Sequence, residues 1–161
     1  MFTRNGKSLT AKGVKPICTV QQVFQSTYLF GAFSPITGDS FLLELPNCCN
    51  DTFQIFLNDL SNQKPNELKV IVLDNGAFHK AKALIVPDSI ILVFLPPYCP
   101  ELNPAERIWQ LLKRDFTNVF LKNLDELSNF ISKTVLQLST NIVKSISRYS
   151  YIFFNDFWTI L

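Results

Sequence analysis

With 161 residues, 47% of them hydrophobic and 13% aromatic, the chain has the length and apolar content for one packed core, which excludes a disordered chain. A net charge of +2 is too small to establish a nucleic-acid partner. Four cysteines without C-x-x-C pairing, beside a single histidine, argue against a structural zinc site. They read as reduced, mostly buried thiols of a cytosolic protein.

The stretch from Met1 to Pro16 carries Arg4, Lys7, Lys12 and Lys15 and no acidic residue. It reads as a solvated basic tail or as an arm contacting phosphates. "MFTRNGKSLT" has no apolar region of the signal-peptide kind. The segments "ICTVQQVFQ", "TYLFGAF" and "SFLLEL" read as strands. Pro35 and Gly38 in "SPITGD" make the last two a hairpin. Phe53, Phe56, Leu57 and Leu60 mark one face of a helix. "KVIVL" and "SIILVFL" are continuous apolar runs, the pattern of strands covered on both faces. Between them lies room for a crossover, with a short helix over Phe78–Leu84, so the two strands are expected to be parallel.

After the proline corner "LPPYCPELNP", Ala105, Ile108, Trp109, Leu112 and Phe116 form a helical stripe. Leu124, Leu127, Ile131, Val135 and Leu138 predict one last, longer helix. The tail "YIFFNDFWTIL" is too short to span a bilayer and is interrupted by Asn155 and Asp156. It reads as a docking segment. Strands followed by strand–helix–strand–helix describe an α/β layered fold with a mixed sheet, in one domain over residues 1–161.

Asp74 directly follows "VIVL", and ligands of open α/β sheets bind beyond the carboxyl ends of parallel strands. Asn103 suits a helix N-cap and Pro104 the first helical position, which puts Glu106 at N3. Asp74 and Glu106 can therefore share one small space. Two carboxylates at one sheet edge repel unless a cation lies between them, and Mg²⁺ takes one or two carboxylates together with phosphate oxygens. Two other readings stand beside this one. Glu106 also fits a capping box, and Asp74-Asn75-Gly76 is also a turn signal. Glu101 is a weaker candidate ligand. His79, Lys80, Lys82, Lys113 and Arg114 are candidate DNA contacts, or simply a structural histidine and a solvated helix face.

"VIVLDNGAFHKAK" followed by "FLPPYCPELNPAERIWQLLKR" resembles the catalytic half of bacterial insertion-sequence transposases of the mariner superfamily. "GVKPICTVQQVFQSTYLFGAFSPITGDSFLLELP" is similar to the family's second and third strands, so the resemblance covers nearly the whole chain. It implies a DDE endonuclease domain with a ribonuclease H-like mixed sheet and flanking helices. It also implies cleavage and strand transfer in DNA transposition, with two Mg²⁺ (or Mn²⁺) ions held by an Asp-Asp-Glu triad. Asp74 matches the second aspartate and Glu106 the glutamate. The implied partner is DNA, as transposon ends and target, in the cytoplasm at the nucleoid.

The family's first aspartate has no counterpart. None occurs before Asp39, which falls in the hairpin turn, and Asp51 and Asp59 lie in the following helix region. The expectation is an N-terminally truncated domain, lacking its central first strand and inactive alone. It would associate, through the strand edges left open, with an upstream-frame product or, as a homo-oligomer, with further copies of itself. The alternative is a non-catalytic remnant or partner subunit that associates with a full-length transposase.

Overall fold

The computed structural model describes residues 11–13, 26–74, 84–117 and 119–153. The strand expected over residues 17–25 and most of the short helix expected over residues 78–84 lie outside them. Strands β1 (Tyr28–Phe33) and β2 (Ser40–Leu45) form the expected hairpin, antiparallel from Tyr28↔Leu45 to Phe33↔Ser40. In its turn, the Ser34 N–H donates to the Asp39 carbonyl and the Gly38 N–H to the Ser34 carbonyl, both at 2.8 Å. Gly38 has φ +80°, which favours glycine, and a β-carbon there would collide with the backbone of Thr140.

Helix α1 (Asn50–Asn62) buries Phe53, Phe56, Leu57 and Leu60, the stripe read from the sequence. Strands β3 (Lys69–Leu73) and β4 (Ile90–Phe94) are parallel, from Lys69↔Ile90 to Leu73↔Phe94. One core under α1 joins hairpin and parallel pair: Phe53, Phe56 and Leu57 pack with Phe30, Leu43, Ile71 and Leu92. Among the described residues the two pairs nonetheless remain separate two-stranded sheets, with no strand between β1 and β3. Coverage of β4 is less complete than its sequence suggests. Ile90 and Leu92 join the α1 core, but Ile91 is 43% and Phe94 37% exposed.

Alternate side chains of the hairpin face the opposite layer, as the period of a strand requires. There Phe33 and Leu42 pack with Ile108, Trp109 and Leu112 of α2 (Pro104–Asp115) and with Val143 of α4 (Thr140–Ser147). Gly31 makes this possible, because a β-carbon there would meet Trp109 and Phe33 ring atoms at 2.9 Å. A third cluster joins Leu29 to Leu127 and Ile131 of α3 (Leu124–Val135).

Two expectations need correction. The single last helix is two: α3 ends at Val135, and α4 starts behind Ser139, whose hydroxyl accepts from the Ile142 N–H at 3.3 Å. Leu138 keeps the apolar period of α3, but it lies past the end of that helix and directly before the Ser139 cap of the next. A four-residue helix, α5 (Ser150–Phe153), follows. Nor are the described cysteines mostly buried. Cys48 is exposed and Cys49 and Cys99 are half-buried, because they occupy the turn before α1 and the proline corner.

Candidate active site

The site begins where the parallel pair ends. Leu73 is buried, and the next residue, Asp74, is exposed at the carboxyl edge. The Leu95 N–H donates to the Leu73 carbonyl at 2.9 Å, which carries the ladder one residue past the strands. The proline corner therefore leaves the sheet beside Asp74. Between them lies a cleft of about 370 Å³, walled by Asp74 and by Leu95 to Pro100. Tyr98 stands fully exposed on its rim with φ +62°, a left-handed conformation that is costly for a tyrosine.

From the cleft the chain enters a 3-10 turn at Pro100–Leu102 and then α2. Asn103 caps α2: its side-chain oxygen accepts from the Ala105 N–H at 3.0 Å, and Pro104 takes the first helical position, where no N–H is needed. The Glu106 N–H donates to the Asn103 carbonyl at 3.1 Å, which fixes Glu106 at N3 as its spacing predicts.

A capping box would have the Glu106 carboxylate accept from the Asn103 N–H. That N–H donates instead to the Pro100 carbonyl, at 3.0 Å. Among the described residues no hydrogen bond or ion pair is made to the Glu106 carboxylate, which is half-buried. The positive end of the α2 dipole favours a negative charge there. The helix is capped without Glu106, and its carboxylate is left available for another ligand.

The cleft brings Asp74 together with the corner, whereas Glu106 lies beyond its lining, in the first turn of α2. Glu101 is exposed within the 3-10 turn. Lys113 and Arg114 are exposed in the last turn of α2, roughly 10 Å along the axis from Glu106 at about 1.5 Å per residue. His79, Lys80 and Lys82 lie outside the described residues. Among the described residues no group of three or more His, Cys, Asp or Glu side chains could hold a metal ion. Asp74 and Glu106 are nonetheless hard oxygen donors of the kind Mg²⁺ and Mn²⁺ take, one or two at a time, with waters and phosphate completing the shell.

Sequence reading missed a set of contacts behind the corner. The Tyr151 hydroxyl donates to the Leu102 carbonyl, and the Arg107 guanidinium lies 4.5 Å from the centre of the Tyr149 ring. Tyr151 begins the tail that reads as a docking segment and Tyr149 lies just before it, and no local pattern in the sequence announces either contact.

Fold and site together define an α/β domain with Asp74 at the carboxyl edge of a parallel strand pair, beside a proline corner that leads into the helix carrying Glu106. The chain belongs to the DDE superfamily endonuclease family, whose model matches residues 3–128. It is 36% identical over 102 residues to the uncharacterized protein y4pE/y4sA of Sinorhizobium fredii, covering 62% of this chain and 76% of that relative. Its fold is similar to that in the crystal structure of the Mos1 strand transfer complex (TM-score 0.70, 13% identity, 90% of this chain). It is also similar to that of the Mos1 transposase paired-end complex with left transposon end (TM-score 0.67, 15% identity, 89% of this chain). The fold is thus the expected ribonuclease H-like one, and the chain spans 46% of the length of each of these two solved chains. Among the described residues no helix is long and apolar enough to cross a membrane.

Proposed function

We propose that this chain is the catalytic part of a DNA transposase that cuts and joins strands with divalent-metal assistance, and that it needs a further carboxylate to work. The observation that carries this reading is the Glu106 carboxylate. It is fixed in the first turn of α2 by Asn103 and Pro104 yet unused in capping, on the helix that follows the corner walling the Asp74 cleft.

In this reading Asp74 and Glu106 supply oxygen ligands to Mg²⁺ or Mn²⁺. Bound ions of this kind activate an attacking oxygen and stabilise the leaving one. The remaining work belongs to the chain. The backbone at Asp74 is held by the β3–β4 ladder and that at Glu106 by the α2 cap, so both residues are placed on rigid elements before substrate arrives. Lys113 and Arg114 contact the DNA backbone away from the cut, with His79, Lys80 and Lys82 as further contacts. The two solved structures of similar fold are, by their titles, transposase assemblies, one of them with a transposon end. That supports DNA as the partner here.

The test is strand cleavage of a transposon-end duplex in Mg²⁺ or Mn²⁺. It compares this chain alone, the chain with its upstream coding segment restored, and each with Glu106→Gln. Cutting by the restored protein that disappears in the variant supports the reading. Binding without cutting by the restored protein overturns it in favour of a non-catalytic partner subunit.

A further inference from the structure

The chain returns to the proline corner after α4, and it does so on both sides of Glu106. Ahead of the cap, the Tyr151 hydroxyl donates to the Leu102 carbonyl at 2.5 Å, linking residues 49 apart in sequence. Leu102 ends the 3-10 turn and immediately precedes Asn103, the cap of α2. Just past Glu106, Arg107 lies over the Tyr149 ring at 4.5 Å, a cation–π contact. The two tyrosine rings meet edge to face, with centroids 5.8 Å apart and planes at 62°. One aromatic pair thus holds the residue before the cap and the residue after the carboxylate.

The corner needs such a hold. Tyr98 has φ +62°, a left-handed conformation that is costly for a residue with a side chain. The 3-10 turn is only three residues long, and its bond geometry is poorer than that of an α-helix. Prolines fix single φ angles but donate no hydrogen bonds to the turns they sit in. Burial pushes the Tyr151 hydroxyl above its ordinary pKa, so it stays protonated and able to donate throughout the neutral range.

We infer that Tyr149 and Tyr151 are positioning residues that brace the start of α2 and thereby aim the Glu106 carboxylate. The inference rests on reading Glu106 as a metal ligand. Residues 149 and 151 lie outside the 3–128 span that matches the family, so the brace is an addition to what the match accounts for.

The experiment uses the full chain and compares Tyr151→Phe and Tyr149→Leu with the unaltered protein. Amide hydrogen exchange is read at Ala105 and Glu106, with Leu95 as an internal control, and Mn²⁺ affinity is read by electron paramagnetic resonance. Loss of one such contact predicts exchange about fivefold faster at Ala105 and Glu106 with Leu95 unmoved, and Mn²⁺ binding weakened by a similar factor. Exchange unchanged at Ala105 and Glu106, or raised equally at Leu95, overturns the brace. Faster local exchange with Mn²⁺ affinity unchanged also overturns it, because the tyrosines would then hold the chain without aiming a ligand. A Glu106→Gln control separates the two readings. Mn²⁺ binding that survives it overturns the ligand role of Glu106 and this inference with it. Mn²⁺ binding lost in that control but untouched in both tyrosine variants overturns the brace alone.

Discussion

Trp109 packs so closely on Gly31 that an added β-carbon would meet the indole at 2.9 Å, with the Phe33 ring equally near. This contact sets the distance between the hairpin and α2, the helix that carries Glu106. Gly31→Ala is expected to destabilise the fold by about 1–3 kcal/mol, the usual cost of overpacking. Urea denaturation checks it. A loss below about 0.5 kcal/mol would show that the indole moves aside freely.

Helix capping and ligand binding can be pulled apart at α2. Asn103→Ala removes the bond to the Ala105 N–H and is expected to cost about 1 kcal/mol. Glu106→Gln removes no hydrogen bond or ion pair among the described residues and should cost no more than the helix-dipole contribution, below about 1 kcal/mol, while weakening divalent-cation binding. Thermal melts paired with Mn²⁺ titration decide it. A large stability loss in Glu106→Gln would return the residue to a structural role.

Asp39 and Lys64 form an exposed ion pair at 2.6 Å. The Lys64 ammonium first, then the Thr37 hydroxyl, hold the Asp39 carboxyl below its ordinary value of 3.8. A depressed carboxyl pKa stabilises the fold above the unfolded value, and that contribution is lost as the pH falls through the lower, folded one. Asp39 in turn raises Lys64 above its ordinary 10.5, a contribution present below that value and lost as the pH climbs past it. Because both side chains are about half exposed, Asp39→Asn should cost less than about 1 kcal/mol at pH 7. Melting temperatures of the two proteins should converge in acid, below the folded pKa of Asp39. A gap that persists there would mean the asparagine harms the turn by other means.

The two neighbouring thiols before α1 should react differently. Hydrogen bonding from the Thr52 backbone N–H, and then from its hydroxyl, lowers the pKa of Cys49. Desolvation of the sulfur raises that of Cys48, although the residue as a whole is exposed. Since the thiolate is the reactive form, iodoacetamide at neutral pH should alkylate Cys49 first. Peptide mass spectrometry over a time course checks the order, and Cys48 reacting first would contradict it.

The parts of this fold that follow local rules were legible in the sequence. The hairpin followed from Pro35 and Gly38, α1 from its four-residue stripe, and the parallel β3–β4 pair from two apolar runs separated by a crossover's length of chain. The start of α2 was equally plain, because Asn103, Pro104 and Glu106 each suit their positions. What stayed hidden depends on contacts between distant segments. Whether Glu106 completes a capping box turned on the Asn103 N–H choosing Pro100, and no side-chain pattern announces that choice. The break between α3 and α4 was missed because Leu138 kept the apolar period while Ser139 took over as a cap. The tie from Tyr151 to Leu102 spans 49 residues and has no local signature at all.

That long tie also has a consequence for how the protein is made. The proline corner is synthesised 49 residues before the tyrosine that holds it. At about 5 to 20 residues per second, the interval is roughly 2 to 10 s, long compared with the microseconds in which helices and hairpins form. On the ribosome α2 therefore has time to form and dock through Trp109 while its entry is still unbraced. A premature stop within the last helices would release a chain with its sheets and α2 in place and the direction of Glu106 unset.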